Sequence, residues 1–143
     1  GVAHACELLK ARGAKRALPL AVSAPFHSSL MKPAAEQLRQ RLAQVALMAP
    51  RIPLVNNIDA TVQGEPDAIR DALYRQAFGA VRWVNVVQAL HARGIERFVE
   101  CGPGMVLTGL AQRIVPQAQS LSMFDPASRA ATQAALASPW PSA

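Results

Sequence analysis

The sequence predicts an α/β protein with a mainly parallel sheet. Three observations lead there. Segments with helical apolar spacing alternate with short strand-like apolar runs, in the order helix, strand, helix, strand, helix, helix, strand, helix, strand. Two helical segments close on Arg-Gly, at Arg12-Gly13 and Arg93-Gly94, a basic last turn followed by a glycine stop. Phe98-Val99-Glu100 runs almost directly into Gly102-Pro103-Gly104 and an apolar helical pattern. That strand–turn–helix passage is how many α/β proteins bring backbone close to a ligand. With 51% apolar and 17% charged residues among 143, the chain is expected to be globular rather than disordered.

Val2, Cys6 and Leu9 share one face of the first helical segment. The pattern starts at Gly1 with no methionine and no lead-in, so the chain is expected to be a piece of a longer one. Residues 17–22 read as a short strand, with Pro19 confined to its edge or start because proline has no N–H to donate. A long helix is expected over roughly 29–48, with Pro33 in its first turn. Leu38, Leu42 and Val45, joined by Leu30, make its apolar face, while Glu36, Arg39, Gln40 and Arg41 face water. It stops before Pro50, since the residue preceding proline disfavours the helical region.

Residues 52–55 read as a second strand ending in Asn56-Asn57, with Asp59 following. Paired asparagines after a strand favour a turn; offering their amides to a ligand is the competing use. Gly64-Glu65-Pro66 breaks the chain, and a helix over 67–77 carries Asp67 in its first turn. Ile69, Leu73 and Gln76 fall near one face of it, which by spacing alone makes Gln76 a structural amide in need of a partner. A further helix spans 81–91. The third strand covers 95–100, the next helix 105–115 and the last strand 120–123. Residues 125–143, rich in Ala, Ser and Pro, are expected to form one weak helix and then fray.

The formal charge of +6 comes from arginines spread along the chain. Only Arg12 to Arg16 is a basic cluster, so no nucleic-acid partner is expected. Cys6 and Cys101 are far apart and lack metal-ligand spacing, which fits a reducing compartment better than a disulfide framework. No stretch is long and apolar enough to span a bilayer, and no membrane partner is expected.

His27 is the residue placed for chemistry, although on position alone a capping or structural role is the favoured reading. It follows the first predicted strand and a Ser/Pro turn, at the mouth of the long helix, where an α/β protein places its ligands. An imidazole with an ordinary pKa of about 6.5 suits acid/base work there, and a capping or buried structural role competes with it. His4 and His91 read as structural. A histidine base needs a nucleophile, and the chain has no G-x-S-x-G elbow. Ser28 and Ser29 sit on the same backbone turn as His27, in poor position to present a hydroxyl to its ring. Cys101 has nothing beside it to activate its thiol. The site is therefore half built, with a base and no nucleophile.

These residues, taken in order, resemble a known family. The matching runs are Gly13-Ala14-Lys15-Arg16-Ala17-Leu18-Pro19-Leu20, Val22 to Met31 around His27, and Ile52-Pro53-Leu54-Val55-Asn56-Asn57. They continue through Ala68-Ile69-Arg70-Asp71-Ala72-Leu73, Arg75-Gln76, Val81-Arg82-Trp83, and Glu100 to Leu110. Each is weak alone; in this order, over most of the chain, they resemble the C-terminal half of the malonyl-CoA:acyl carrier protein transacylases of bacterial fatty-acid synthesis.

The resemblance implies part of an α/β-hydrolase-like subdomain over residues 21–124, the end of an inserted ferredoxin-like subdomain over 1–20, and a tail over 125–143. It implies that His27 is the catalytic histidine and that the backbone carbonyl of Gln76 holds its other nitrogen, which overturns the structural reading of both. Asn56 and Phe26 are implied at the substrate site. Phe26 would fill the space an extra methyl needs, as in related polyketide acyltransferase domains that select malonyl. The family's serine, on a G-H-S-x-G elbow, and its carboxylate-binding arginine match nothing here.

The partners implied are malonyl-CoA, an acidic acyl carrier protein and the missing N-terminal half. No metal or tightly held cofactor is implied, and the setting is cytoplasmic. Ala80 stands where proline is common, and Met105 where a basic residue often follows Gly-Pro-Gly. The competing expectation is a non-catalytic carrier-protein-binding or scaffold protein of the same fold. Weaker still is a thiol enzyme using Cys101.

Overall fold

A computed structural model describes residues 1–139 and contains six α-helices and four short strands among them. The helices are α1 (Val2–Ala11), α2 (Lys32–Ala43), α3 (Pro66–Gln76), α4 (Trp83–His91), α5 (Val106–Ile114) and α6 (Pro126–Ala137). The strands are β1 (Leu54–Val55), β2 (Val62–Gln63), β3 (Arg97–Glu100) and β4 (Gln119–Ser122). The protein is α/β.

The C-terminal half is a β3–α5–β4 unit. Its strands are parallel, with Arg97 opposite Gln119 and Glu100 opposite Ser122. Parallel strands need a crossover, and α5 supplies it. Its start is secured by Glu100, whose carboxylate accepts the backbone N–H and the hydroxyl of Thr108, each at 2.7 Å. The Thr108 hydroxyl, then backbone N–H groups, hold the Glu100 carboxyl below its ordinary range. Val87 from α4, Ala111 and Val115 from α5 and its end, and Ala118 form the buried core. Trp83, Phe98 and Ile114 pack around it.

α6 docks on β4. Thr132 is fully buried and donates its hydroxyl to Ser122 O at 2.7 Å. A capping box starts this helix: Asp125 Oδ1 accepts the Ser128 N–H, and Ser128 Oγ accepts the Asp125 N–H. The helix expected in the tail is therefore well capped and packed rather than weak. The fraying expected at the chain end falls on residues 140–143, outside the described ones.

The preceding half is built differently. α2 and α3 pack together, with Ala35, Ile69 and Ala72 buried. Arg70 of α3 donates to Leu42 O (3.2 Å) and Val45 O (2.9 Å), satisfying carbonyls at and just past the end of α2. β1 and β2 form an antiparallel hairpin, Leu54 opposite Gln63 and Val55 opposite Val62.

Four expectations need correction. Residues 17–22 form no strand; Leu18, Leu20 and Val22 are exposed and have no ladder partner among the described residues. The helix expected over 29–48 is a 3-10 turn, Ser29–Met31, followed by α2, which ends at Ala43. Its expected apolar face is partly open, with Leu38 and Val45 exposed and Ala35 the buried position. The strand expected at 52–55 is only Leu54–Val55 and pairs locally with the unforeseen β2. The described strands therefore make one parallel and one antiparallel pair, not a mainly parallel sheet. The physical reason is local: the Asn56–Thr61 turn folds β1 back onto its own continuation.

Candidate active site

His27 sits in a tight turn. Ser28 donates its hydroxyl to Pro25 O at 2.7 Å, and the Phe26 N–H donates to Ala24 O at 2.9 Å. The Ser28 hydroxyl is thus committed to backbone and away from the His27 ring, as its place on the same turn predicts. His27 itself has φ 57°, in the left-handed region that non-glycine residues seldom enter. Such a conformation persists only where its surroundings hold it, and it occurs disproportionately at functional sites.

The holding contact comes from 49 residues away: His27 Nδ1 lies 3.0 Å from Gln76 O. A carbonyl only accepts, so Nδ1 carries the proton and Nε2 keeps its lone pair. In the neutral ring that fixes the tautomer with the lone pair on Nε2.

Gln76 is the last residue of α3, and the last carbonyls of a helix have no intrahelical donor. Here they are shared out. Tyr74 O accepts from Ala77 N–H, and Arg75 O accepts from Gly79 N–H at 2.9 Å. Gln76 O goes to His27. The carbonyl end of a helix carries partial negative charge, which favours an N–H donor such as His27 Nδ1.

The other expected site residues are placed as follows. Phe26 adjoins His27 in sequence and its side chain is exposed. The Gln76 side chain borders a cavity of about 150 Å³ together with Leu54, Asn56, Gln63 and Leu73. Asn56 is buried, and its Oδ1 accepts from the N–H groups of Ile58 (3.0 Å) and Asp59 (3.1 Å). Its Nδ2 points to Thr61 O at 3.4 Å. That is turn chemistry, the favoured reading of the asparagine pair. Cys101 is exposed on the loop after β3.

Reading the sequence missed the supports behind Gln76. Arg75 bridges two carboxylates, Asp71 at 2.6 Å and Asp59 at 3.2 Å. Asp59 also accepts from the N–H and hydroxyl of Thr61. The Thr61 hydroxyl first, then Asn56, the Thr61 N–H and Arg75, pull the Asp59 carboxyl down to about 2. The Asn56-Asn57 pair signalled the turn, but nothing in the sequence linked it to Arg75.

A second cavity, about 190 Å³, lies beside β3 and is walled mainly by Trp83, Leu90, Phe98, Leu107 and Leu121. Its one acidic group, Glu100, is committed to Thr108. Among the described residues no group of three or more His, Cys, Asp or Glu gathers as a metal site. Among them, too, no helix is long and apolar enough to cross a membrane.

Known proteins were compared with this chain. No family model matches the sequence. The malonyl CoA-acyl carrier protein transacylase of Escherichia coli K12 is 49% identical over 122 residues, which are 85% of this chain and 40% of that protein. The crystal structure of an acyl-carrier-protein S-malonyltransferase from Burkholderia pseudomallei 1710b superposes with a TM-score of 0.85 at 55% identity, over 92% of this chain and 43% of the other. A malonyl-transacylase solved with a type II PKS acyl-carrier protein matches at a TM-score of 0.83 and 46% identity, covering 89% of this chain and 41% of that one. The chain spans about 40% of the length of the curated relatives it matches.

Proposed function

We propose that this chain, which is homologous to the malonyl-CoA–acyl carrier protein transacylases, is the histidine-bearing part of such an enzyme. The observation that carries the reading is the 3.0 Å contact between His27 Nδ1 and Gln76 O, which leaves Nε2 as a fixed base. Gln76 O takes the part that a carboxylate plays in a standard Ser-His-Asp triad: it holds the ring's tautomer and orientation.

The reaction is ping-pong. A serine outside these 143 residues gives its proton to His27 Nε2 while its oxygen attacks the malonyl thioester carbonyl. The C–S bond breaks, and the imidazolium proton passes to the leaving CoA sulfur. In the second half the carrier protein's phosphopantetheine thiol gives its proton to Nε2 and attacks the malonyl-serine ester. The C–O bond breaks, and the proton returns to the serine. Backbone N–H groups beside that serine stabilise both oxyanions. Phe26 narrows the acyl pocket next to His27, an effect of about 1–3 kcal/mol against one extra methyl. Asn56 acts at the substrate end by fixing the loop beside Gln76.

In this reading residues 1–20 close a ferredoxin-like subdomain, 21–124 belong to an α/β-hydrolase-like one, and the 125–143 tail docks through α6. The setting is cytoplasmic, with malonyl-CoA and an acidic acyl carrier protein as partners. Exposed Leu18, Leu20, Leu30, Met48 and Ile52 support a face that the serine-bearing segment covers.

The test is His27→Ala in the complete transferase, with malonyl transfer to carrier protein as the readout. Transfer is expected to fall by at least about a hundredfold, the scale of a lost general base; undiminished transfer overturns the reading. The coding sequence upstream of Gly1 supplies a second check. An in-frame G-H-S-x-G segment is expected, and its absence would favour a non-catalytic carrier-protein-binding role.

A further inference from the structure

We infer that the β1–β2 loop, acting through Asp59, Ile58 and Asn57, is the clamp that aims Gln76 O at His27. The inference rests on the reading of His27 as the base and adds the residues that position it.

A terminal helix carbonyl is free to wander as the last turn frays, yet the His27 contact needs one direction of Gln76 O. Three contacts from the loop hold that last turn and the backbone leaving it. Asp59 Oδ2 pairs with Arg75 Nη2, one residue before Gln76, at 3.2 Å. Ile58 closes on Gly79, where an added Cβ would collide with the Ile58 side chain and come within 2.9 Å of Arg75 O. Glycine at 79 therefore lets the chain turn back tightly enough for its N–H to reach Arg75 O at 2.9 Å. Asn57 O accepts the Arg82 N–H at 2.8 Å, tying down the far end of the same turn.

The loop is itself rigid. Asn56 Oδ1 accepts two backbone N–H groups, and Asp59 Oδ1 accepts two donors from Thr61. Between Asp59 and Thr61 lies Ala60 with φ 59°. Ala60 and His27 are the two non-glycine residues with positive φ among those described. Strain of this kind is retained where the surroundings over-determine the backbone.

Arg75 offers an internal control. It binds Asp59 across the fold and Asp71 one turn back on its own helix. Asp59→Asn keeps an oxygen for Thr61 and loses the ion pair to the loop. Asp71→Asn loses an ion pair to the same arginine without touching the loop. The experiment uses the complete transferase with ¹⁵N-labelled histidine, the His27 signals being assigned through His27→Gln, and measures the Nδ1–H signal alongside kcat and KM for malonyl-CoA.

Asp59→Asn is expected to broaden or lose the Nδ1–H signal and lower kcat about tenfold with KM unchanged, the scale of a catalytic group displaced by a fraction of an ångström. Asp71→Asn is expected to change neither. Equal behaviour of the two variants overturns the clamp. A lost Nδ1–H signal with full transfer in Asp59→Asn, together with full transfer in His27→Ala, would keep the clamp and overturn the catalytic reading instead.

Discussion

The two halves of this chain hold themselves together to very different degrees. From Trp83 to Ala137, two parallel strands, three helices and a core of Val87, Ala111, Val115 and Ala118 close around one another. Before residue 54 the one buried residue is Ala35, and α1 buries nothing. His27 belongs to that open region, and its hydrogen bond to Gln76 O reaches across to a helix that is partly enclosed. The packed half is stabilised by its own burial. The open half carries His27 and leaves large apolar side chains in water, which is what a surface shaped for another segment looks like.

Three measurements would break or sharpen that contrast. The largest effect is expected from Val87→Ala. Val87 is fully buried at the centre of the packed half, and truncating it removes about 2 kcal/mol from the unfolding free energy through lost transfer and a residual cavity. Denaturant unfolding of the complete protein reads it. A loss under about 0.5 kcal/mol, the usual range for surface changes, would mean that this half is not the stable one.

Next comes acid. Asp59 has its pKa lowered from an ordinary 3.8 to about 2 in the folded chain. A depressed carboxyl stabilises the fold above its unfolded pKa, and that contribution is lost as pH falls through the folded value. The clamp is therefore expected to weaken between about pH 4 and pH 2. Asp59→Asn should lower stability near neutrality, where the ionised carboxyl contributes in full, and flatten the stability curve in that window, so that the two curves converge in acid. An unchanged acid limb would put the acid sensitivity in other carboxylates.

The smallest effect, by expectation, is Leu20→Ala in the isolated chain. Leu20 is 82% exposed, and its truncation should move stability by less than about 0.5 kcal/mol. In the complete protein the same change should cost more than about 1 kcal/mol if another segment covers this face. Equal, negligible costs in both would mean that the open region stays open.

Legibility followed the same divide. The helices α3, α4 and α5 and the strands β3 and β4 lie within two residues of where periodicity and glycine stops put them. Their patterns reflect burial that this chain supplies. Residues 17–22 have the composition of a strand, but a strand needs an edge to pair with, and none of the described ones reaches it. The long helix failed at both ends. The 3-10 turn and Pro33 set its start, and the Arg70 side chain, 25 and 28 residues away from the carbonyls it binds, takes over its end.

Sequence alone determined the elements with self-contained signals. These are the Gly-Pro-Gly turn into α5, the Asn56–Asp59 turn, and a histidine at the mouth of a helix without a nucleophile beside it. Each depends on chemistry within a few positions along the chain. Spacing could not show that Gln76 contributes its backbone carbonyl to His27, which only the resemblance implied, and tertiary structure alone decided that Asp59 grips the arginine next to it. Those contacts join residues 16 to 49 positions apart, and a direction in space between distant backbone segments has no counterpart in local spacing.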